Sequence, residues 1–243
     1  MSLKPAKPPQ GGLGGLGAPV PLASRILRER RVAMLVKDYM TKDPVTVAPD
    51  TPVLEAIRLL KEKGFRRLPV MKNGRLVGLV TEKDLKDAMP SKATTLSVWE
   101  MNYLLSKLTV KEVMVQNVLT IQEEAPLEEA ALLMEERKIG ALPVMQKERL
   151  VGIITVTDVM KAFTEVMGLK EGGMRVTVDI PDVPGALAQM AQAVVPSNIV
   201  SVVTAGKQEG YRRIVLRVVG EGVEGVADRL RAAGERVVDV RKG

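Results

Sequence analysis

The chain has 243 residues, enough for two or three domains, with an ordinary balance of 46% hydrophobic and 27% charged residues. It contains no cysteine and no histidine, which excludes disulfides, Cys/His zinc sites, cysteine nucleophiles and Ser-His-Asp triads. The net charge is +7, but much of the excess sits near the start, where Lys4, Lys7, Arg25, Arg28, Arg30 and Arg31 face Glu29 alone, so the rest shows no electrostatic footprint for nucleic acid.

Aromatic residues are 2% of the chain, so the core must be aliphatic. No run of about 18 apolar residues is present, so no membrane span is expected. Glycines and prolines interrupt the start where a signal peptide would carry its apolar stretch, and a cytoplasmic location is expected. Residues 1–33 read as a disordered basic leader rich in Pro and Gly. A role for it in touching a polyanion is the alternative to a plain solvated leader.

From Val36 the chain repeats itself. VKDYM (36–40) returns as VKEVM (110–114), and LPVMKNGRLVG (68–78) as LPVMQKERLVG (142–152), at a constant offset of 74 residues without a gap. Some 20 identities in 53 aligned positions imply two copies of one structural unit. Each copy predicts a short strand (Val45–Val47; Leu119–Ile121) and then a helix (Val53–Lys63; Leu127–Arg137). Two apolar strands follow. In the first copy Asn73-Gly74 joins them and is a strong hairpin signal. A second helix opens after Thr81 or Thr155. The units are placed at 34–90 and 109–168, with a connector helix over 91–108. Ser97 is its expected cap, with Val98, Met101, Leu104, Leu105 and Leu108 as its apolar residues. Trp99, the only tryptophan, is expected to pack between the repeats. Residues 169–243 predict strands and helices in the order β-α-β-β-α-β, a ferredoxin-like arrangement.

Each repeat closes with one phrase: GLVTEKD (78–84) and GIITVTD (152–158). Thr81 and Thr155 stand where a helix N-cap is expected, with Asp84 and Asp158 at the third helical position. That is a variant of the capping box. The same geometry suits a ligand: free N–H groups at a helix start hold a phosphate, and an aspartate one turn in accepts from a ribose diol. The residues alone leave both readings open.

Both copies resemble the CBS domain, through the LPVM strand, the LVG strand and the closing Gly-h-h-Thr-x-x-Asp. The resemblance implies a tandem pair, a Bateman module of α/β fold, with two clefts for adenosine-containing ligands such as AMP, ADP, ATP or S-adenosylmethionine. It implies that Asp84 and Asp158 hold ribose and that Thr81 and Thr155 lie near phosphate. The backbone at Thr46, Val47, Thr120 and Ile121 would frame adenine, with Pro69 and Pro143 in the strands packing on the base. Arg66-Arg67 precede the first LPV strand and Gly140-Ala141 the second; the family often carries a basic pair there for phosphates, so the two clefts are expected to differ.

The last 70 or so residues resemble an ACT domain, through DVPGAL (182–187) and SNI (197–199). That implies an amino-acid site at Asp182, Pro184, Gly185 and Asn198, or a dimerising role. The local alternative has Pro184-Gly185 starting a helix and Asn198 in a left-handed turn. The order CBS–CBS–ACT, with the connector LSVWEMNYLLSKLTVKEVM, is similar to the AcuB-type acetoin-utilisation family. Together these imply a non-catalytic homodimeric regulator, with an adenosyl nucleotide as its ligand, no catalytic cofactor and an unidentified client protein. A structural module with empty clefts, or a nucleic-acid-associated regulator using the leader, are the alternatives.

Overall fold

The computed structural model describes residues 34–89, 97, 99, 100, 103 and 107–243. The leader and the connector residues Val98, Met101, Leu104 and Leu105 lie outside the described residues.

The first repeat contains α1 (Val36–Tyr39), β1 (Thr41–Lys42), α2 (Val53–Lys63), β2 (Arg67–Lys72), β3 (Arg75–Thr81) and α3 (Glu82–Asp87). The second contains α4 (Val110–Val113), β4 (Ile121–Gln122), α5 (Leu127–Arg137), β5 (Ala141–Gln146), β6 (Arg149–Thr155) and α6 (Val156–Val166). The hairpin turn of the first repeat has positive φ at both Asn73 and Gly74, the signature of a primed turn that follows strand twist. Val53, Ala56 and Leu60 form the buried face of α2, and Leu127, Ala130 and Met134 that of α5. Helical spacing sets both faces.

The two repeats exchange their opening segments. Val36, from the start of the first repeat, is fully buried in the core of the second, with Ile121, Leu127, Leu142 and Ile154. Val110, from the start of the second, is fully buried in the core of the first, with Val53, Leu68, Val70 and Leu85. The backbone follows: β1 pairs with β6 through Thr41 and Ile153, and Val115 bridges Leu79 of β3. The sequence bounds 34–90 and 109–168 therefore delimit copies of the pattern, while packing crosses them at both ends.

This exchange explains the glycine of the repeated phrase. Gly78 lies under Met114 and the Val115 carbonyl, and Gly152 under Met40 and the Thr41 carbonyl. A Cβ at either position would stand 3.1 Å from that carbonyl oxygen and collide with the methionine sulfur.

The connector cap forms as expected. Ser97 donates N–H and Oγ–H to Glu100 Oε2 at 2.8 and 2.6 Å, and the Glu100 N–H donates back to Ser97 Oγ at 3.3 Å. Leu108 packs against the first repeat's core. Trp99 departs from expectation: it is 85% exposed, so it does not pack between the repeats.

The C-terminal domain comprises β7 (Met174–Pro181), α7 (Ala186–Val194), β8 (Asn198–Gln208), β9 (Tyr211–Val219), a short 3-10 turn (Val223–Gly225), α8 (Val226–Ala232) and β10 (Arg236–Lys242). Its antiparallel sheet runs β10-β7-β9-β8, the ferredoxin-like order expected. Alternation puts Val176, Val178 and Ile180 of β7 and Ile214, Leu216 and Val218 of β9 on one face, where Met190 and Leu230 of the helices cover them. On the other face the polar side chains of Thr177, Asp179, Ser201 and Arg217 are buried.

Candidate functional site

Strand β3 ends at Thr81 and strand β6 at Thr155, and in both cases a helix begins on the next residue. The aspartate half of the cap forms twice, and in the first repeat the Asp84 N–H also donates to Thr81 Oγ1 at 3.2 Å. Asp84 Oδ2 accepts from Thr81 N–H at 2.9 Å and from its hydroxyl at 2.7 Å. Asp158 Oδ2 accepts from Thr155 N–H at 2.8 Å and from its hydroxyl at 2.7 Å. Each carboxylate so uses one oxygen. Among the described residues Oδ1 of Asp158 has no hydrogen-bond partner, and the side chain is half-buried. The helices differ in length: α3 has 6 residues and α6 has 11.

A cleft of about 490 Å³ opens between the repeats, within the usual size for a small-molecule site. Pro44, Val45 and Pro69 give it an apolar wall from the first repeat, faced by Ile153 and Val156 of the second. Arg66 and Arg67 at the start of β2 meet Thr155 and Thr157 at the start of α6 in the same cleft. The basic pair of one repeat thus meets Thr155 and Thr157 of the other, because β1 pairs with β6 and draws Pro44 and Val45 toward the second repeat; Asp158 stands next to this lining and reaches Arg67 through its field.

Arg67 spans the cleft and donates Nη1–H to the Gly140 carbonyl. Gly140 occupies the position equivalent to Arg66. A Cβ there would sit 3.2 Å from the Arg67 guanidinium, so glycine leaves room for the arginine. Burial lowers the Arg67 pKa, the Arg66 charge lowers it further, and the field of Asp158 opposes both. Two cations held together beside a helix start favour an anion between them.

The other expected positions fall elsewhere. Val47 and Ile121 do not face a cleft: they are 8% and 5% exposed, in the cores of the first and second repeat. Their backbone groups serve strand pairing, Val47 with Pro69 and Met71 and Ile121 with Val144. Thr46 is exposed, and Thr120 lines a different depression beside Arg75 and Lys147 at the hairpin turns. Pro143 is buried in β5 opposite Ile153. Thr81 and Asp84 do not line the cleft of Arg66 and Arg67, and of the second phrase Thr155 lines it while Asp158 does not. Val45, expected to open a strand that does not form there, and Pro44, not singled out in the sequence, stand in the wall instead. Their signal is the proline two residues before the threonine, in the first repeat only.

In the C-terminal domain Asp182 is committed to ion pairs, with Lys207 at 2.6 Å and Arg212 at 2.7 Å. These hydrogen bonds, Lys207 first and Arg212 next, lower its pKa. Gly185 takes φ +89° and starts α7, as the local reading had it. Asn198 is not left-handed; it opens β8 opposite Val219. It lies beyond the far end of α7 from Pro184 and Gly185. Nine residues of helix separate them by about 13 Å, so the four do not form one site.

The CBS-domain model matches residues 36–91 and 110–165, and a model for a TTHA0829-like ACT domain matches 172–241. A CBS domain-containing protein of Dictyostelium discoideum is 35% identical over 136 residues, which are 55% of this chain and 94% of that protein. The uncharacterized protein MJ1225 of Methanocaldococcus jannaschii is 34% identical over 53% of this chain and 47% of its own length. L-aspartate semialdehyde sulfurtransferase of the same organism is 30% identical over 53% of this chain but 23% of its own length. The chain therefore spans less than half of either archaeal relative. Among solved structures, a Vibrio cholerae protein assigned to acetoin utilization (AcuB) is 32% identical over 56% of this chain and 95% of its own, with a TM-score of 0.47. The CBSX2 structure in complex with AMP is 33% identical over 54% and 97%, with a TM-score of 0.45. By its two repeats and its last domain, this chain belongs to the CBS-domain family, as a tandem CBS pair followed by a TTHA0829-like ACT domain.

Proposed function

We propose that the chain is a non-catalytic regulatory protein whose inter-repeat cleft binds a phosphorylated adenosine compound. One observation carries this reading: a single cleft joins an apolar wall, two arginines and the start of an 11-residue helix. In this reading the base packs between Val45, Pro69 and Ile153. Asp158 Oδ1 accepts from the ribose diol while Oδ2 keeps the cap. Thr155, Thr157 and the N–H groups of α6 hold phosphate together with Arg66 and Arg67. The cap and the ligand site are then one device.

The phrase at Thr81 and Asp84 opens a shorter helix, and Gly140-Ala141 stand where the other copy has its basic pair. A ligand on that side would meet fewer cations, so the anionic nucleotide belongs to the cleft of Arg66 and Arg67. The ACT domain is read as a protein-contact or relay element. An amino-acid ligand gains no support from Asp182, whose carboxylate is already paired.

The test is a thermal-shift panel of AMP, ADP, ATP, S-adenosylmethionine and adenosine. A ligand at 100 times its Kd adds about 2.7 kcal/mol to native-state stability. Replacing Arg66 and Arg67 by Ala should weaken AMP about ten- to a hundredfold and leave adenosine nearly unchanged. Equal loss for both would remove the phosphate role.

A further inference from the structure

Helix α6 has one end in the cleft and the other in the ACT domain. Thr155 and Thr157 line the cleft at its start. Met167 caps its last turn, and the Met167 carbonyl has no helical partner ahead of it. Two groups of the ACT sheet satisfy that carbonyl: Ser201 Oγ–H of β8 and Arg217 Nε–H of β9, each at 3.2 Å. Arg217 also donates Nη1–H to Gly172 O at 3.0 Å and is only 5% exposed. Gly168, just past the helix, has φ +61°, and a Cβ there would lie 2.9 Å from Val200 and 3.1 Å from the Arg217 stem. The joint is close-packed and polar-satisfied, unlike a free linker.

We infer that α6 is a rigid coupling rod between the cleft and the ACT sheet, with Arg217 and Ser201 as its latch. Its 11 residues span about 16 Å. An anion at the N-terminus and the Arg217 cation at the C-terminus both oppose the helix dipole. Any change in position of the first turn is delivered to Met167, because a helix does not compress. Coupling is reciprocal, so the latch also tunes the cleft. This inference rests on the cleft being the nucleotide site.

The experiment is hydrogen exchange on the full chain, with and without AMP. AMP should slow exchange around the cleft. It should also slow residues 200–203 and 214–218 by about fivefold or more, the lower end of ordinary coupling. In Arg217→Met the cleft protection should remain and the distant protection vanish. If that variant does not fold, Arg217→Lys serves, since lysine keeps the charge but loses the rigid fork that holds both carbonyls. Cleft protection without any change in the ACT sheet overturns the rod while leaving the ligand reading intact. If AMP protects nothing, the ligand reading fails, and the ligand-free Asp158→Ala chain decides the rod. Faster exchange at 200–203 and 214–218 then supports it, and unchanged exchange there overturns it.

Discussion

Single residues in this chain fit two duties under the proposed function, and that decides what its sequence reveals. The spacing Thr-x-x-Asp suits both a helix cap and a ribose acceptor, so the residues alone leave the two readings open. The cap occupies one oxygen of Asp158 and leaves the other without a hydrogen-bond partner among the described residues, so the two readings are compatible. The glycine of the same phrase was legible as a repeat but not as a requirement, because the methionine above it comes from the neighbouring repeat. Gly152→Ala should cost about 1–3 kcal/mol by overpacking, since Met40 can bend away but the Thr41 carbonyl at 3.1 Å cannot. Chemical denaturation of the full chain measures this, and a neutral result would mean that the exchanged segment is loosely held. A second effect belongs to Asp179, which Arg213 grips through two bonds at 2.7 and 2.9 Å. The Arg213 hydrogen bond holds its carboxyl below the ordinary 3.8, burial opposing. A lowered acid stabilises the fold above its ordinary value and loses that contribution as pH falls through the lowered one. Asp179→Asn should therefore be less stable than the parent at neutral pH, with the gap closing only under strong acid. A gap that does not change with pH would show that the pair contributes through shape and not through charge.

Most elements were readable in advance because their local signals agree. Helical faces at Val53, Ala56 and Leu60, the Asn73-Gly74 turn and alternation along β7 each point to one structure. What the sequence did not disclose is which core each opening segment joins. VKDYM and VKEVM share their buried residues, so either fits either core, and only the third dimension chooses. Val36→Ala tests the exchange. It should open a cavity in the second repeat, costing on the order of 1.5–3 kcal/mol. Hydrogen exchange should then rise in Leu127–Arg137, with little change in Val53–Lys63. The opposite pattern would place Val36 in its own repeat. Trp99 was misread for a related reason: a large aromatic in a connector invites a core, yet nothing among the described residues covers it. Asn198 was misread because a strand can begin at the residue expected to turn.

At the scale of the whole molecule, exchange of segments turns two similar repeats into one asymmetric cleft. The cleft takes its basic pair from the first copy and its helix start from the second. The loss of Arg at the equivalent of Arg66 opens the space that Arg67 crosses to reach Gly140. The two-copy architecture and the C-terminal ACT fold were evident from repeat spacing and element order. The cross-pairing of Arg66 and Arg67 with Thr155 and Thr157 was not, since the ungapped alignment invites each phrase to be matched with its own copy. The most direct test is a calorimetric titration of AMP into the full chain and into Arg67→Ala, Asp158→Ala and Asp84→Ala. Substitutions in both repeats should weaken one binding event, Arg67→Ala and Asp158→Ala each by about ten- to a hundredfold, while Asp84→Ala leaves it within about threefold. An AMP site insensitive to both Arg67 and Asp158, or no AMP binding at all, would contradict the account.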